Sequence, residues 1–282
     1  GSKNTFLGKN SGFSNTTGQD NVFLGHDTGF TNIVGSCNTF IGNNVGYLSI
    51  TSGNTFIGFS AGRDNASIQN TFIGKNAGRK NTTGDSNTFI GYEAGFNNTT
   101  GAINTFIGEE SGRFNTRGAY NVFIGVGAGY TNTIGSSNFC VGQNAGFNNI
   151  SGCYNIFFGN SSGLTNIVGS CNTFIGNEAG YLATGNGNVF IGKNAGYNEV
   201  GNNKFIVGIN RAIPSLINGE FNNKNLTFGY MGTRHGGPVG AIGIPLNTTA
   251  PAGNVVGGAT LYFDGTSLKY KYGATIRTIS FT

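Results

Sequence analysis

Few side chains in this sequence have the types and spacing that catalysis requires. Its two histidines are His26 and His235, so a Ser-His-Asp or Cys-His constellation has almost no base to use. Its adjacent carboxylates are Glu109 and Glu110, and a glycosidase would have to assemble its acid and base across subunits. The zincin, dithiol and phosphate-loop spacings HExxH, CxxC and GxxxxGK[ST] do not occur. We therefore expect no enzymatic activity, no metal and no cofactor.

Ligand recognition is the chemistry that the C-terminal part of the sequence favours. Residues 229–244 are non-repetitive and loop-like. Residues 259–272 predict two strands joined by an Asp264-Gly265 turn, followed by a third strand at 275–279. The aromatic and cationic residues of this part are our candidate ligand-binding residues: Tyr230, Arg234, His235, Tyr262, Tyr270 and Tyr272. For His235 the alternatives are an anionic sugar, a metal shared by three copies, and a plain solvated loop histidine, which we favour.

The rest of the chain is strongly periodic. Its 282 residues include 51 glycines, 4 prolines and no tryptophan, while 10% are charged and 12% are aromatic. This composition is not that of an ordinary globular enzyme, and the aromatic content argues against disorder. The phrase Asn-Thr-Phe-Ile-Gly, or a close variant, recurs thirteen times at a spacing of 16 or 17 residues. It starts at Asn4, Asn21, Asn38, Asn54, Asn70, Asn87, Asn104, Asn121, Asn138, Asn155, Asn172, Asn188 and Lys204.

Coils of this length predict a parallel β-solenoid, or β-roll, because seventeen residues are too few for a βαβ unit. Alternation along a strand of about five residues places Phe40 on one face and Thr39 with Ile41 on the other. Both faces are apolar, yet a thin coil has a single interior, so the second face needs a partner. We predict an all-β chain with a solenoid over 3–208 and a small antiparallel β tip domain over 209–282. Three copies would form a homotrimeric fibre.

The coil at 87–101 reads Asn-Thr-Phe-Ile-Gly-Tyr-Glu-Ala-Gly-Phe-Asn-Asn-Thr-Thr-Gly. It resembles the repeats of phage tail fibres and related trimeric fibre proteins, and the resemblance covers about residues 3–208. It is also similar to the β-roll heads of trimeric autotransporter adhesins, whose shorter coil lacks the Phe. The resemblance implies a parallel homotrimer at a cell surface or on a virion, attached to a host or prey glycan or protein receptor.

Two other functions are compatible with a solenoid. One is a purely structural spacer. The other is ice binding, which regular Thr columns on flat solenoids can perform. Here the Thr column is interrupted at Val22, Val122, Phe139, Ile156, Val189 and Phe205, which fits a packed interface better. A net charge of +5 without a basic stripe gives no case for nucleic acid. No apolar stretch is long enough for membrane insertion.

Three other features are predicted to be structural. The residue after the second glycine of each coil is aromatic or Arg in most coils, as at Tyr47 and Arg63, which favours stacking over a carbohydrate platform. The recurring asparagines Asn15, Asn32, Asn81, Asn98, Asn115 and Asn132 are expected in turns or ladders. Cys140 takes a core Phe position, and no Cys153–Cys171 disulfide is favoured.

The repeat starts without a cap, so we expect further coils or a stalk before residue 3 and a cloning origin for Gly1 and Ser2.

Overall fold

The computed structural model describes residues 1–209, 217–222, 225–228, 259–263, 268–272 and 275–278. These residues form strands and turns, with no helix among them, as the all-β prediction requires. The strands of the coils are β1 (Thr5–Leu7), β2 (Val22–Leu24), β3 (Thr39–Ile41), β4 (Thr55–Ile57), β5 (Thr71–Ile73), β6 (Thr88–Ile90), β7 (Thr105–Ile107), β8 (Val122–Ile124), β9 (Phe139–Val141), β10 (Ile156–Phe158), β11 (Thr173–Ile175), β12 (Val189–Ile191) and β13 (Lys204–Val207). The later strands are β14 (Ile217–Glu220), β15 (Asn225–Phe228), β16 (Ala259–Phe263), β17 (Leu268–Tyr272) and β18 (Thr275–Thr278).

Strands β1 to β13 are stacked in chain order, each paired in parallel with the next. Equivalent residues face each other in the register, as Phe40 faces Phe56. The arrangement gives twelve full turns, which confirms the parallel β-solenoid of about 17-residue coils. Most strands have three residues, shorter than predicted, because the backbone is left-handed on both sides of them. In β3 these flanking residues are Cys37, with φ of 59°, and Gly42, with φ of 133°.

Two antiparallel segments follow the coils. β14 pairs with β13 and β15 pairs with β14, so the first sheet continues beyond residue 208. β16, β17 and β18 form a separate three-stranded antiparallel sheet. This confirms the antiparallel strands predicted for 259–272 and 275–279, while the Asp264-Gly265 turn lies outside the described residues.

The interior of the coils is a column of phenylalanine rings. Phe40 and Phe56 are fully buried, with ring centroids 4.9 Å apart and planes within 1° of parallel. The second glycine of each coil lies against the ring of its own coil. At Gly46, with φ of 54°, a Cβ would come within 2.6 Å of the Phe40 ring. The preceding position is also small and buried, as at Ala61 and Ala77. The Ala-Gly pair therefore makes room for the Phe.

Two columns of buried asparagines satisfy polar groups inside the coils. The Asn38 backbone N–H donates to Asn21 Oδ1 at 3.0 Å, and Asn21 Nδ2 donates to the carbonyl oxygen of Gly35 at 2.8 Å. In the second column Asn98 Nδ2 donates to Asn81 Oδ1 at 2.6 Å, and Asn115 Nδ2 donates to Asn98 Oδ1 at 2.7 Å. A thin solenoid core cannot hydrate its backbone, so these amides replace water. The predicted asparagine ladder is confirmed from Asn81 to Asn132, whereas Asn15 Nδ2 and both amide atoms of Asn32 are buried without a hydrogen-bond partner.

Candidate interaction surfaces

The outward side of the stacked strands is an extended apolar surface of the coils. We call it the outer strand face, and it consists of the first and third residues of strands β1 to β12, with Phe205 and Val207 of β13. In β3 to β7 these residues are Thr and Ile, and all are half-buried in the single chain. Elsewhere larger side chains are more exposed, as at Leu7 with 66% and Phe158 with 52%. The face is thus apolar, continuous and unpartnered within the described chain.

A second column, the aromatic ridge, follows the second glycine of each coil. Its members are Phe13, Phe30, Tyr47, Arg63, Arg79, Phe96, Arg113, Tyr130, Phe147, Leu164, Tyr181 and Tyr197. Ring pairs such as Phe30 and Tyr47 stack with centroids 5.0 Å apart and planes 5° from parallel. Arginine takes the place of a ring where it occurs, and the Arg63 guanidinium lies 5.8 Å from the Tyr47 ring centroid. The predicted stacking between coils is confirmed. Since neighbouring groups cover the ring faces, mainly ring edges meet solvent.

An ion-pair cluster interrupts the ridge at its centre. Arg113 Nε lies 2.6 Å from Glu93 Oε2 and 3.4 Å from Glu110 Oε1. The Arg113 guanidinium also lies 4.9 Å from the Phe114 ring centroid and 5.6 Å from that of Phe96. Burial would raise the pKa of the Glu93 carboxyl, but the hydrogen bond and charge of Arg113 outweigh it, so this pKa lies below its ordinary value.

The sequence analysis missed this cluster because it considered the adjacent carboxylates Glu109 and Glu110 together. The 17-residue period instead places Glu110 in the same column as Glu93, which lies one coil earlier. Glu109 is exposed. The carboxylates therefore bind a structural arginine, and the two adjacent ones do not face each other across a cleft.

The six candidate ligand-binding residues fall in the least described part of the chain. Tyr230, Arg234 and His235 lie outside the described residues. Tyr262 is on β16, opposite Lys269, while Tyr270 and Tyr272 are on β17, opposite Leu261 and Ala259. The antiparallel register is thus known for the three strand tyrosines, and their role in recognition stays a prediction.

The four cysteines lie in the coils as free thiols. Cys140 is fully buried in the phenylalanine column, as predicted, and its burial raises the pKa of the thiol. Cys37 and Cys171 are exposed. Cys153 is half-buried, and its Sγ accepts a hydrogen bond from the Ser136 backbone N–H at 3.3 Å.

Within the described residues, no group of three His, Cys, Asp or Glu side chains is placed to hold a metal ion. In the same part of the chain, no helix long and apolar enough to cross a membrane is found. The fold and surfaces define a parallel β-solenoid repeat protein. Comparison with known proteins adds no narrower class, since no family model, curated protein or solved structure matches the chain.

Proposed function

We propose that this chain is a segment of a homotrimeric fibre that attaches to a cell-surface receptor, with the coils as shaft and the C-terminal residues as tip. The observation that carries the proposal is the outer strand face. It presents two apolar columns along thirteen strands, a strip about 60 Å long at the usual strand spacing of about 4.8 Å. Apolar patches of this extent on soluble chains mark interaction sites.

A second copy of the chain is the partner that fits this strip best. The strip is regular from coil to coil, so only a partner with the same repeat can match it along its whole length. At about 10 Å wide it offers about 600 Å², comparable to one side of a standard interface. Thr and Ile at equivalent heights of three chains would then pack around a common axis. This geometry also supplies the second core that a thin coil lacks.

The first experiment is the molar mass in solution, measured by light scattering after size exclusion. We expect about three times the chain mass of 29.3 kDa. The double variant Thr88→Lys/Thr105→Lys places two charges on the outer strand face and should yield monomer, because unpaired charges are costly in an apolar interface. The matched control is Thr83→Lys/Thr100→Lys, at two exposed positions where the next coil already carries Arg117. A trimer that survives the first variant contradicts the assignment of this face.

Recognition by the tip is tested separately. We propose Tyr230, Arg234, His235, Tyr262, Tyr270 and Tyr272 as its ligand-binding residues, and a host or prey glycan or protein as the receptor. Deleting residues 209–282 should weaken binding to target cells while the solenoid remains. Binding to target cells that is unchanged by the deletion would exclude the tip as the recognition site.

The alternatives give different results in the same experiments. A trimer that binds no receptor would favour a structural spacer. A monomer would leave the outer strand face in solvent, with Thr at five successive strands from β3 to β7. Thermal hysteresis of that monomer would favour ice binding.

A further inference from the structure

Two tyrosines stand apart from the other tyrosines of the coils. Tyr120 and Tyr154 are 60% and 67% exposed. The rings of Tyr47, Tyr130 and Tyr181 stack in the aromatic ridge, and Tyr92 lies under Lys75. Within the described part of the chain, Tyr120 and Tyr154 make no such ring contact. Two large rings are therefore held in solvent without a structural partner.

The backbone gives these tyrosines a fixed and unfavourable position. Both precede the first asparagine of a coil and have left-handed backbones, with φ of 59° at Tyr120 and 58° at Tyr154. Bulky L-residues avoid this conformation because Cβ crowds the backbone. Small or polar residues occupy the same position in most other coils, such as Ser86, Gly53 and Cys171. Packing within the coil does not require tyrosine here, so a role outside the coil explains it better.

A serine lies between the two tyrosines in the stack. The backbone N–H groups of Tyr120, Ser137 and Tyr154 make equivalent bonds, to the carbonyl oxygens of Ala102 at 3.1 Å, Ala119 at 3.0 Å and Ser136 at 3.1 Å. The three residues thus occupy one position in three successive coils. Ser137 is half-buried, whereas Ser86 at the equivalent position is exposed.

The spacing leaves room for one ring. Ring ladders elsewhere in the coils place one ring per coil, as at Tyr130 and Phe147, whose centroids are 4.7 Å apart. Tyr120 and Tyr154 are two coils apart, or about 10 Å at the usual strand spacing. A six-membered ring at the height of Ser137 would lie about 5 Å from each tyrosine, within the preferred stacking range. Because position 137 is serine, no protein ring lies between the rings of Tyr120 and Tyr154.

The surroundings favour a neutral ligand with hydroxyl groups. The segments 119–124, 136–141 and 153–158 contain no Asp, Glu, Lys or Arg. The hydroxyl groups of the two tyrosines and of Ser137 supply donors and acceptors at the slot. A pyranose combines an apolar C–H face with hydroxyls at its rim, whereas an aromatic side chain would leave the serine hydroxyl without a partner.

We propose that Tyr120, Ser137 and Tyr154 form a slot that binds one pyranose ring of a neutral glycan on the side of the coils. The proposal deepens the receptor-binding function by naming a ligand class and a second site, distant in sequence from the tip residues. It rests on a receptor-binding role but not on the trimer, because all three residues belong to one chain. Binding and molar mass are therefore independent measurements.

The test replaces Ser137 by tyrosine, so that a ring of the protein itself occupies the slot. Saturation-transfer NMR of the full chain would be recorded with methyl β-galactopyranoside, methyl β-glucopyranoside and the methyl glycoside of N-acetylglucosamine. One ring is expected to bind in about the millimolar range, as small ligands do. Ser137→Tyr should reduce the transfer at least about fivefold. Ser86→Tyr is the matched control, since it adds the same side chain to the same left-handed position outside the slot, and it should leave the transfer unchanged.

A second variant and a second probe complete the test. Tyr120→Ser/Tyr154→Ser should also lose the transfer, and its circular dichroism and molar mass should equal those of the unsubstituted chain. Transfer that survives in Ser137→Tyr, or no transfer to any of the three glycosides, overturns the proposal. Transfer to p-cresol but not to the glycosides overturns it in favour of an aromatic peptide side chain. A changed molar mass in Ser137→Tyr also overturns it, by assigning the slot to contact between copies of the chain.

Discussion

At the scale of single residues, the second asparagine column is incomplete. Asn65, Asn81 and Asn98 are linked through their side-chain amides, but the equivalent residue two coils after Asn15 is Ser49. Ser49 Oγ and both amide atoms of Asn32 are buried without a hydrogen-bond partner. Each such group costs about 1–3 kcal/mol when no water reaches it. The short Ser49 side chain is therefore a weak point of the solenoid interior.

Ser49→Asn should repair this column. The new amide can donate to Asn32 Oδ1, as Asn81 Nδ2 donates to Asn65 Oδ1 at 2.6 Å. We expect a gain of about 1 kcal/mol in the free energy of unfolding, measured from denaturant midpoints. Asn98→Ser makes the same gap in the intact part of the column and should cost about 1–3 kcal/mol. A loss of stability in Ser49→Asn would show that the interior has no room for the amide.

The Glu93–Arg113 pair predicts a pH dependence. Because the pKa of Glu93 is lower in the folded chain than in the unfolded chain, its ionisation stabilises the fold above the unfolded pKa of about 4.3. That contribution is lost as the pH falls through the lower, folded pKa. The stability difference between the unsubstituted chain and Glu93→Gln should be constant near neutral pH and shrink below about pH 4.5. Denaturant titrations at several pH values measure this difference.

Glu109→Gln is the matched control for this titration. Glu109 is exposed and makes no ion pair in the described part of the chain, so Glu109→Gln should lower the free energy of unfolding at neutral pH less than Glu93→Gln does. Equal profiles for Glu93→Gln and the unsubstituted chain would contradict the structural role of the pair.

Sequence reasoning at this scale predicted residue classes but not individual pairings. It assigned the asparagines to ladders and the ridge to stacking, since a repeat brings equivalent residues together. It could not predict the Glu93–Arg113 contact or the amide atoms of Asn32 that have no hydrogen-bond partner. Both depend on which coils lack the usual residue of the column and on side-chain torsion angles. The exposed Tyr120 and Tyr154 were not predicted, because the residue that precedes the first asparagine varies from coil to coil and gives no periodic signal.

At the scale of the elements, the phenylalanine column holds the strands in register. Its rings are near-parallel from Phe23 to Phe123, and the column is broken at Cys140. Beyond the break Phe157 is tilted 24° to Phe174. A Cβ at Gly146, the second glycine of the preceding coil, would come within 3.0 Å of the Phe157 ring. Phe157 thus leans into the space that a ring at position 140 would occupy.

Cys140→Phe should restore the column. The added ring would stack between Phe123 and Phe157, which we expect to raise the free energy of unfolding by about 1–2 kcal/mol. Phe106→Cys is the matched control, which opens the same gap in an intact region and should cost about 2–4 kcal/mol. Thermal and denaturant midpoints of both variants measure the effect. Destabilisation by Cys140→Phe would mean that Phe157 has closed the space and the core is overpacked.

The sequence predicted the elements well in type and less well in length. Period two placed the phenylalanines inside, and the structure confirms it at Phe40 and Phe56. The strands are shorter than predicted because propensity does not reveal left-handed backbone at non-glycine residues such as Cys37 and Ser86, which lie two residues before β3 and β6. That backbone is imposed by stacking of neighbouring coils, which is a tertiary constraint.

At the scale of the whole molecule, the outer strand face is the surface on which the proposed assembly depends. The parallel solenoid followed from the 17-residue period alone, because one repeat fixes one coil. The partner does not follow in the same way, since a single chain shows an apolar face but not its occupant. A trimer and a monomer differ in how their stability depends on concentration, which gives a measurement independent of molecular mass.

We expect the melting temperature to rise with protein concentration. Unfolding of a trimer releases three chains, so a hundredfold increase in concentration adds about 5.4 kcal/mol per trimer to its stability. Dividing this free energy by the unfolding entropy of three chains of 282 residues gives an increase in the melting temperature of about 3 °C. Calorimetry over that range, with reheating to establish reversibility, makes the measurement. Thr88→Lys/Thr105→Lys should abolish the dependence, and Thr83→Lys/Thr100→Lys should retain it. A concentration-independent melting temperature in the unsubstituted chain would mean that folding does not require the outer strand face to be covered, and thermal hysteresis would then be the next measurement.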